Sequence, residues 1–263
     1  MVRHDSAGAA TPGQGNGSLV INTPAAVSTT INIPGALLAA DDVTGSPFAC
    51  GAPILAAAGL YVFPFKLIRG RKQPLVGWGN EATTDQATIN RWGRRWPDAW
   101  VGVACKPSGL LVVDLDVKHP PVSGPDNWAE LTLASGDPQA APACLYDRTT
   151  LIRTGSGGLH LWFVDPWDTP GRDAMLPGID VKASSAEPHK KGGFVAAPPT
   201  PGYHVLGLKP PMLAPGWLAL ILTHDDKPHR ERREPVSTAN HTVTEDVRER
   251  LAAALRSKRG GAS

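Results

Sequence analysis

The sequence predicts a mixed α/β domain of the α+β kind, with strands that pair largely antiparallel. Three observations carry this expectation. Short apolar, β-branched runs recur through residues 46–222, tight turns such as "KPSG" and "GSGG" join successive runs, and amphipathic helical stretches separate the others. Strands joined by turns this short run antiparallel, because a parallel return needs a crossover of a dozen residues or more.

Residues 1–45 are rich in Gly, Ala, Thr and Pro without a clear period, and read as a flexible leader holding one short helix around "GALLAADD". In "SPFACGAPILAAAG", Ser46 is an N-cap, Pro47 stands at the first helical position and Gly59 stops the helix, which leads into the strand "LYVFPF". In "TTDQATINRWGRRWP", Ile89, Trp92 and Trp96 share one helical face, Arg91, Arg94 and Arg95 take the opposite one, and Pro97 ends the pattern. The strands "AWVGVAC" and "GLLVVDLDV" follow, separated by "KPSG". A helix around "DNWAELTLA" comes next, then "TTLIRT" and "LHLWFV" joined by "GSGG", and last the short strands "GIDVK" and "GGFVAAPP". Residues 223–263 read as a charged, solvated linker ("HDDKPHRERREP") and a terminal amphipathic helix ("TEDVRERLAAALRSKR").

Composition narrows the function classes. With 26 basic and 24 acidic residues, the chain has no global charge bias of the kind that coats nucleic acid, so a nucleic-acid ligand would need a local patch. Cys50, Cys105 and Cys144 have no C-x-x-C spacing, which argues against a zinc cluster and a disulfide framework and for a reducing compartment. The first residues lack the apolar segment of a signal peptide and no later run is long enough to span a bilayer, so the expectation is a cytoplasmic protein without a membrane partner.

Three motifs carry chemistry. In "LLVVDLDVK" the aspartates Asp114 and Asp116 are one residue apart, so in a strand they share a face while Leu115 points into packing. Two like charges beside a core are costly unless something positive sits between them, and a divalent cation is the simplest candidate; an exposed acidic loop at the strand's end is the plainer alternative. In "RTGSGGLHLWF", Gly155, Gly157 and Gly158 free the backbone to present amides in a concave turn, Ser156 adds a hydroxyl, and His160 follows on the departing strand, on the same face as Trp162. That turn suits phosphate oxygens, and it also makes an ordinary glycine hairpin with a surface histidine. The spacing G-x-x-x-x-G-K-[ST] is absent, so the chain encodes no Walker-type phosphate loop. In "PGIDVK", Asp180 again interrupts an apolar run and shares its face with Lys182, although a lone Asp after Gly-Ile also caps turns.

Taken in order, Asp-x-Asp, then Ser-Gly-Gly-x-His, then a single Asp, these motifs resemble the catalytic core of the archaeo-eukaryotic primase superfamily, in particular its bifunctional primase-polymerase domains. The flanks "GLYVFPF", "RKQPLVGW", "ATTDQATINRW" and "GGFVAAPPT" look like that family's opening strand, basic segment, Thr-Asp helix and Pro-Pro strand, and the resemblance covers roughly residues 50–205. It implies a two-lobed fold with an RNA-recognition-like antiparallel sheet carrying the active site. It implies that Asp114, Asp116 and Asp180 hold two divalent ions, Mg²⁺ or Mn²⁺. Ser156 and His160, with Gly157, Gly158 and Lys182, would bind the triphosphate of an incoming nucleotide. Lys182 stands where the family more often has Arg, and "ASSAEPHKK" is longer than expected there.

The implied activity is template-directed nucleotidyl transfer, DNA primase or polymerase, in replication. Its partners would be single-stranded DNA, nucleoside triphosphates and a separate replicative helicase. Template contacts would fall on Lys72, favoured by the family match and with an indole, Trp78, to stack on a base, and on Arg91, Arg94 and Arg95, whose face reads more readily as an ordinary solvated helix surface; the other tryptophans read mostly as core. Two other readings compete. A metal-dependent nucleotide-sugar transferase also uses Asp-x-Asp but leaves "SGGLH" and Asp180 unexplained, and a non-catalytic nucleic-acid-binding module would not need three intact acids.

Overall fold

A computed structural model describes residues 32–117, 122–184 and 192–223. The charged linker, the terminal helix, most of the leader and most of "ASSAEPHKK" lie outside the described residues. Asn32 caps α1 (Ile33–Asp41), the helix expected in the leader. Its Leu37 and Ala40 are wholly buried, and Asp41 accepts the Val205 amide and pairs with His204. Ser46 caps α2 (Pro47–Ala57) by accepting the Ala49 amide, and the chain turns away at Gly59, φ +80°. The hairpin β1 (Val62–Ile68) and β2 (Arg71–Pro74) leads to the short α3 (Trp78–Glu81) and to α4 (Gln86–Arg95), capped by Asp85 through the Thr88 amide at 2.8 Å. Then come β3 (Trp100–Ala104), β4 (Leu110–Leu115), α5 (Gly124–Ala134), α6 (Pro142–Leu145), β5 (Thr150–Arg153), β6 (Leu159–Val164), β7 (Arg172–Leu176), β8 (Ile179–Lys182), β9 (Phe194–Ala196), β10 (His204–Leu208), β11 (Met212–Leu213) and α7 (Gly216–Thr223).

The strands form two sheets, one of four strands in the order β2-β1-β3-β9 and one of seven, β10-β5-β6-β4-β8-β7 with β11 on β6. Every pairing is antiparallel except β11 with β6, which bears out the mixed, antiparallel class. The turn "KPSG" does not close a hairpin. It carries the chain from one sheet to the other, because both edges of β3 are taken by β1 and β9 and both edges of β4 by β6 and β8. The turn "GSGG" does close one, between β5 and β6.

The seven-stranded sheet is apolar on both faces, as its period-two alternation requires. Leu111, Val113, Leu115, Leu161 and Phe163 pack with Trp128 and Leu131 of α5 and Trp217 and Leu218 of α7. Leu110, Val112, Ile152 and Trp162 face the other way and join the core made by α1, α2, α4 and the four-stranded sheet. Ile89 and Trp92 of α4 enter that core, while Arg91, Arg94 and Arg95 stay exposed, as their helical spacing dictates. Among the described residues no helix is long and apolar enough to cross a membrane.

Candidate functional site

The site is built by register. Asp114 on β4 stands opposite His160 on β6 and opposite Asp180 on β8, and His160 stands opposite Ile152 on β5. One row across the sheet therefore reads Ile152, His160, Asp114, Asp180. One residue pair along the strands, the neighbouring row reads Thr150, Trp162, Val112, Lys182. Both rows lie on the face that joins the core between the sheets, and between Val112 and Asp114 that face changes from apolar to acidic. Asp116 continues the same face just past the end of β4, held by hydrogen bonds of its backbone to Gly178 and Gly124.

The acids are not alone. His160 Nε2 lies 3.5 Å from Asp114 Oδ1, and the ring is completely buried. Lys182 Nζ lies 3.0 Å from Asp180 Oδ2 and 2.5 Å from Asp173 Oδ1, while Asp180 Oδ1 accepts the Ala174 amide at 2.7 Å. Burial pulls the Lys182 ammonium down, but its hydrogen bonds to Asp173 and Asp180 outweigh that and hold its pKa above the ordinary value. Like charges directly opposite on neighbouring strands repel, so the Asp114–Asp180 pair persists because cationic or protonatable groups flank it on both sides.

The glycine turn closes one end of the site. Gly158 presses on the Leu115 carbonyl, Gly157 (φ +88°) lies beside Val117, and the exposed Ser156 hydroxyl is 3.1 Å from Thr154 Oγ1. The turn thus abuts the segment that carries Asp116. Lys72, exposed on β2, reaches over from the other sheet, its Nζ 5.9 Å from the centre of the Tyr203 ring. The contacts of the α4 arginines are local, Arg91 to Thr88 and Arg95 over the Trp96 ring at 4.6 Å. Arg95 borders an open groove of about 450 Å³ lined also by Pro74, Leu75, Val76, Trp92 and Trp96, a feature separate from the acidic row. Trp78 is half-buried, with Phe63 stacked on it at 5.6 Å and Phe194 tilted against it at 5.0 Å.

Tyr203 is the neighbour that sequence reasoning missed. Burial pushes its phenol up to about 12, with the charges of Asp114 and Asp116 adding to the shift. The sequence carried no local signal for it: Tyr203 joins the site because Val205 pairs with the distant Ile152, and a residue two positions earlier on an alternating strand shares its face.

The acids offer only oxygen donors, the kind that hard divalent cations such as Mg²⁺ and Mn²⁺ prefer. Asp114 and Asp180, facing each other across the β4–β8 ladder with Asp116 beyond, could share such an ion once Lys182 yields its hold on Asp180. Among the described residues no three His, Cys, Asp or Glu side chains draw together closely enough to enclose one. Residues 52–217 match the family model described as bifunctional DNA primase/polymerase, N-terminal. No curated protein matches the chain.

Proposed function

We propose, because the chain belongs to the bifunctional DNA primase/polymerase family, that it is a template-directed nucleotidyltransferase that joins nucleoside triphosphates on single-stranded DNA. The observation that supports this most is the shared register of His160, Asp114 and Asp180 on three adjacent strands. Asp114, Asp116 and Asp180 would hold two divalent ions, Mg²⁺ or Mn²⁺, whose chemistry is to stabilise the charge that develops at the attacking and leaving oxygens. The Ser156 hydroxyl and the amides of Gly157 and Gly158 donate to the triphosphate, His160 donates a further hydrogen bond, and Lys182 moves from Asp180 to phosphate as the nucleotide arrives. Lys72 and the arginines of α4 meet the template backbone through charge, an attraction that weakens as salt rises.

The test is primer extension on a templated primer with Mg²⁺ or Mn²⁺, comparing wild type with Asp114→Asn and Asp116→Asn. Each change deletes a ligand charge at nearly constant volume. Loss of an outer-sphere partner costs about 10–100-fold at metal sites, so loss of a direct ligand lowers the rate by more than about a hundredfold. Asp114→Asn also relieves repulsion from Asp180, so the metal-free thermal transition does not fall. A folded Asp114→Asn protein that extends primers at the wild-type rate overturns the proposal. DNA binding without product points instead to a binding module, and product that ignores template sequence points to a transferase of another kind.

A further inference from the structure

His160 is wholly buried, and neither of its ring nitrogens completes a hydrogen bond. Unpaired buried polar groups are rare in native proteins, and each calls for a reason. A histidine meant to touch phosphate must also be reachable. What stands over it is Tyr203, whose ring centre lies 5.6 Å from the imidazole centre at an interplanar angle of 53°.

The path of the chain explains how Tyr203 arrives there. It precedes β10 on the face shared by Val205, Ile152 and His160. Gly202 (φ +82°) lets the backbone pass so close to the glycine turn that a Cβ on Gly202 would lie 2.8 Å from the Gly155 α-carbon. A Cβ on Gly155 would in turn lie 3.6 Å from Tyr203 Cε2. The phenol ring thus spans from the "GSGG" turn to the imidazole, with the Lys72 ammonium 5.9 Å from its centre. Turn amides, imidazole and ammonium are the groups a triphosphate would use, and one half-buried side chain lies among all of them.

We propose that Tyr203 is a further residue of the nucleotide site, a cover that occupies in the free protein the place of the nucleotide's phosphates and must swing aside before His160 can meet them. This rests on the reading of His160 as a phosphate contact. An arriving phosphate offers His160 an acceptor and attracts Lys72 away from the ring, so the displacement is compensated by contacts made only with ligand bound. A site that is open for only a fraction of the time binds with an affinity reduced by that fraction. Removing the cover therefore tightens nucleotide binding, the opposite sign from removing a contact.

Two measurements on the full chain test this. The first is carbethoxylation of histidines by diethyl pyrocarbonate without nucleotide, read by peptide mass mapping. His160 in wild type reacts at least tenfold more slowly than the exposed His204, Tyr203→Ala raises its rate at least tenfold, and Tyr203→Phe, which keeps the ring, keeps it protected. The second is calorimetric titration with dATP and ATP in Mg²⁺, without template or primer: Tyr203→Ala binds several-fold tighter than wild type, and Tyr203→Ala in a His160→Ala background loses that gain. If Tyr203→Ala does not fold, Tyr203→Leu, which keeps apolar bulk without a planar ring, takes its place with the same expectation. Weaker nucleotide binding by the folded variant, or an unchanged His160 labelling rate, overturns the cover and leaves the nucleotidyltransferase reading standing. Absence of nucleotide binding in wild type and variants alike overturns that reading itself, and the cover's role falls with it.

Discussion

Gly157 and Gly158 are adjacent members of one phosphate-type turn, and the structure separates what an alanine would do at each. At Gly157 the backbone has φ +88°, and a Cβ would meet nothing nearer than Val117 Cγ2 at 3.7 Å, an ordinary contact. The cost of Gly157→Ala is therefore conformational, about 1–2 kcal/mol for a side chain forced into the left-handed region. At Gly158 a Cβ would lie 2.2 Å from the Leu115 carbonyl oxygen and 3.2 Å from Thr154 Oγ1. Close carbon–oxygen contacts between strands settle near about 3.3 Å, so β6 must draw back from β4 by about 1 Å. Backbone cannot yield as a side-chain tip can. The movement strains the Leu115–Leu159 pairing and the 2.9 Å bond from the Thr154 amide to the Gly158 carbonyl. Overpacking of about 1–3 kcal/mol, plus about 1 kcal/mol for a weakened hydrogen bond, puts Gly158→Ala at about 3 kcal/mol. Urea unfolding followed by far-ultraviolet circular dichroism ranks the two variants at constant m-value. A Gly158→Ala midpoint equal to or above that of Gly157→Ala refutes the packing argument. In primer extension the same displacement moves His160 relative to Asp114, and a misplacement of about 1 Å is enough to cost about a hundredfold in rate.

Two further outcomes follow from charged and ionisable groups. Burial pushes the Cys105 thiol up to about 12, against the pull of Lys182 and Lys72, so at pH 8 iodoacetamide labels the exposed Cys144 and leaves Cys105 unmodified until the protein is unfolded. The unfolded chain loses that proton near about pH 8.5 while the folded chain keeps it, so stability falls as pH rises from there toward 12, by at most about 1.4 kcal/mol per pH unit; Cys105→Ala flattens the decline of the urea midpoint between pH 8 and 9.5. Lys182→Met removes the ammonium 3.0 Å from Asp180, and calorimetric titration with Mn²⁺ in the absence of nucleotide shows tighter binding than wild type, while the KM for nucleotide rises; weaker Mn²⁺ binding would detach Asp180 from the cation site.

What could be read from the sequence was whatever is encoded locally. Ser46 and Asp85 cap their helices through side chains and neighbouring amides, the period of two put Asp114 and Asp116 on one face, and the glycine hairpin announced β5 and β6. What could not be read depends on partners far away in the chain. "KPSG" has the composition of a hairpin turn, and only the strands that claim both edges of β3 and β4 decide that it joins two sheets. Trp78 follows a basic cluster, and nothing in that stretch announces the rings it packs against, Phe63 of β1 and Phe194 of β9. β7 carries charged residues and an Ala174 at φ +48°, so no alternation marks it. In α7, "GWLALILT" is apolar in nearly every position, so a strand and a buried helix give the same pattern.

Why an apolar run should admit two aspartates is answered by where the strand is interrupted. Along β4 the face that holds Leu110 and Val112 is covered by the other sheet and its helices, and the same is true of Trp162 on β6. One step further along, every one of the three central strands changes chemistry at the same level, Trp162 to His160, Val112 to Asp114 and Lys182 to Asp180. A chance acid would disturb one strand; a coordinated change across three strands, with β8 reached only after a long excursion of the chain, is a built surface. Facing carboxylates lower the stability of the free protein, and nothing in the packing of either core needs them there. The arrangement becomes favourable when positive charge is brought to it. The free protein supplies part of that charge with the Lys182 ammonium, and the remaining deficit is what a divalent cation carrying a triphosphate would fill.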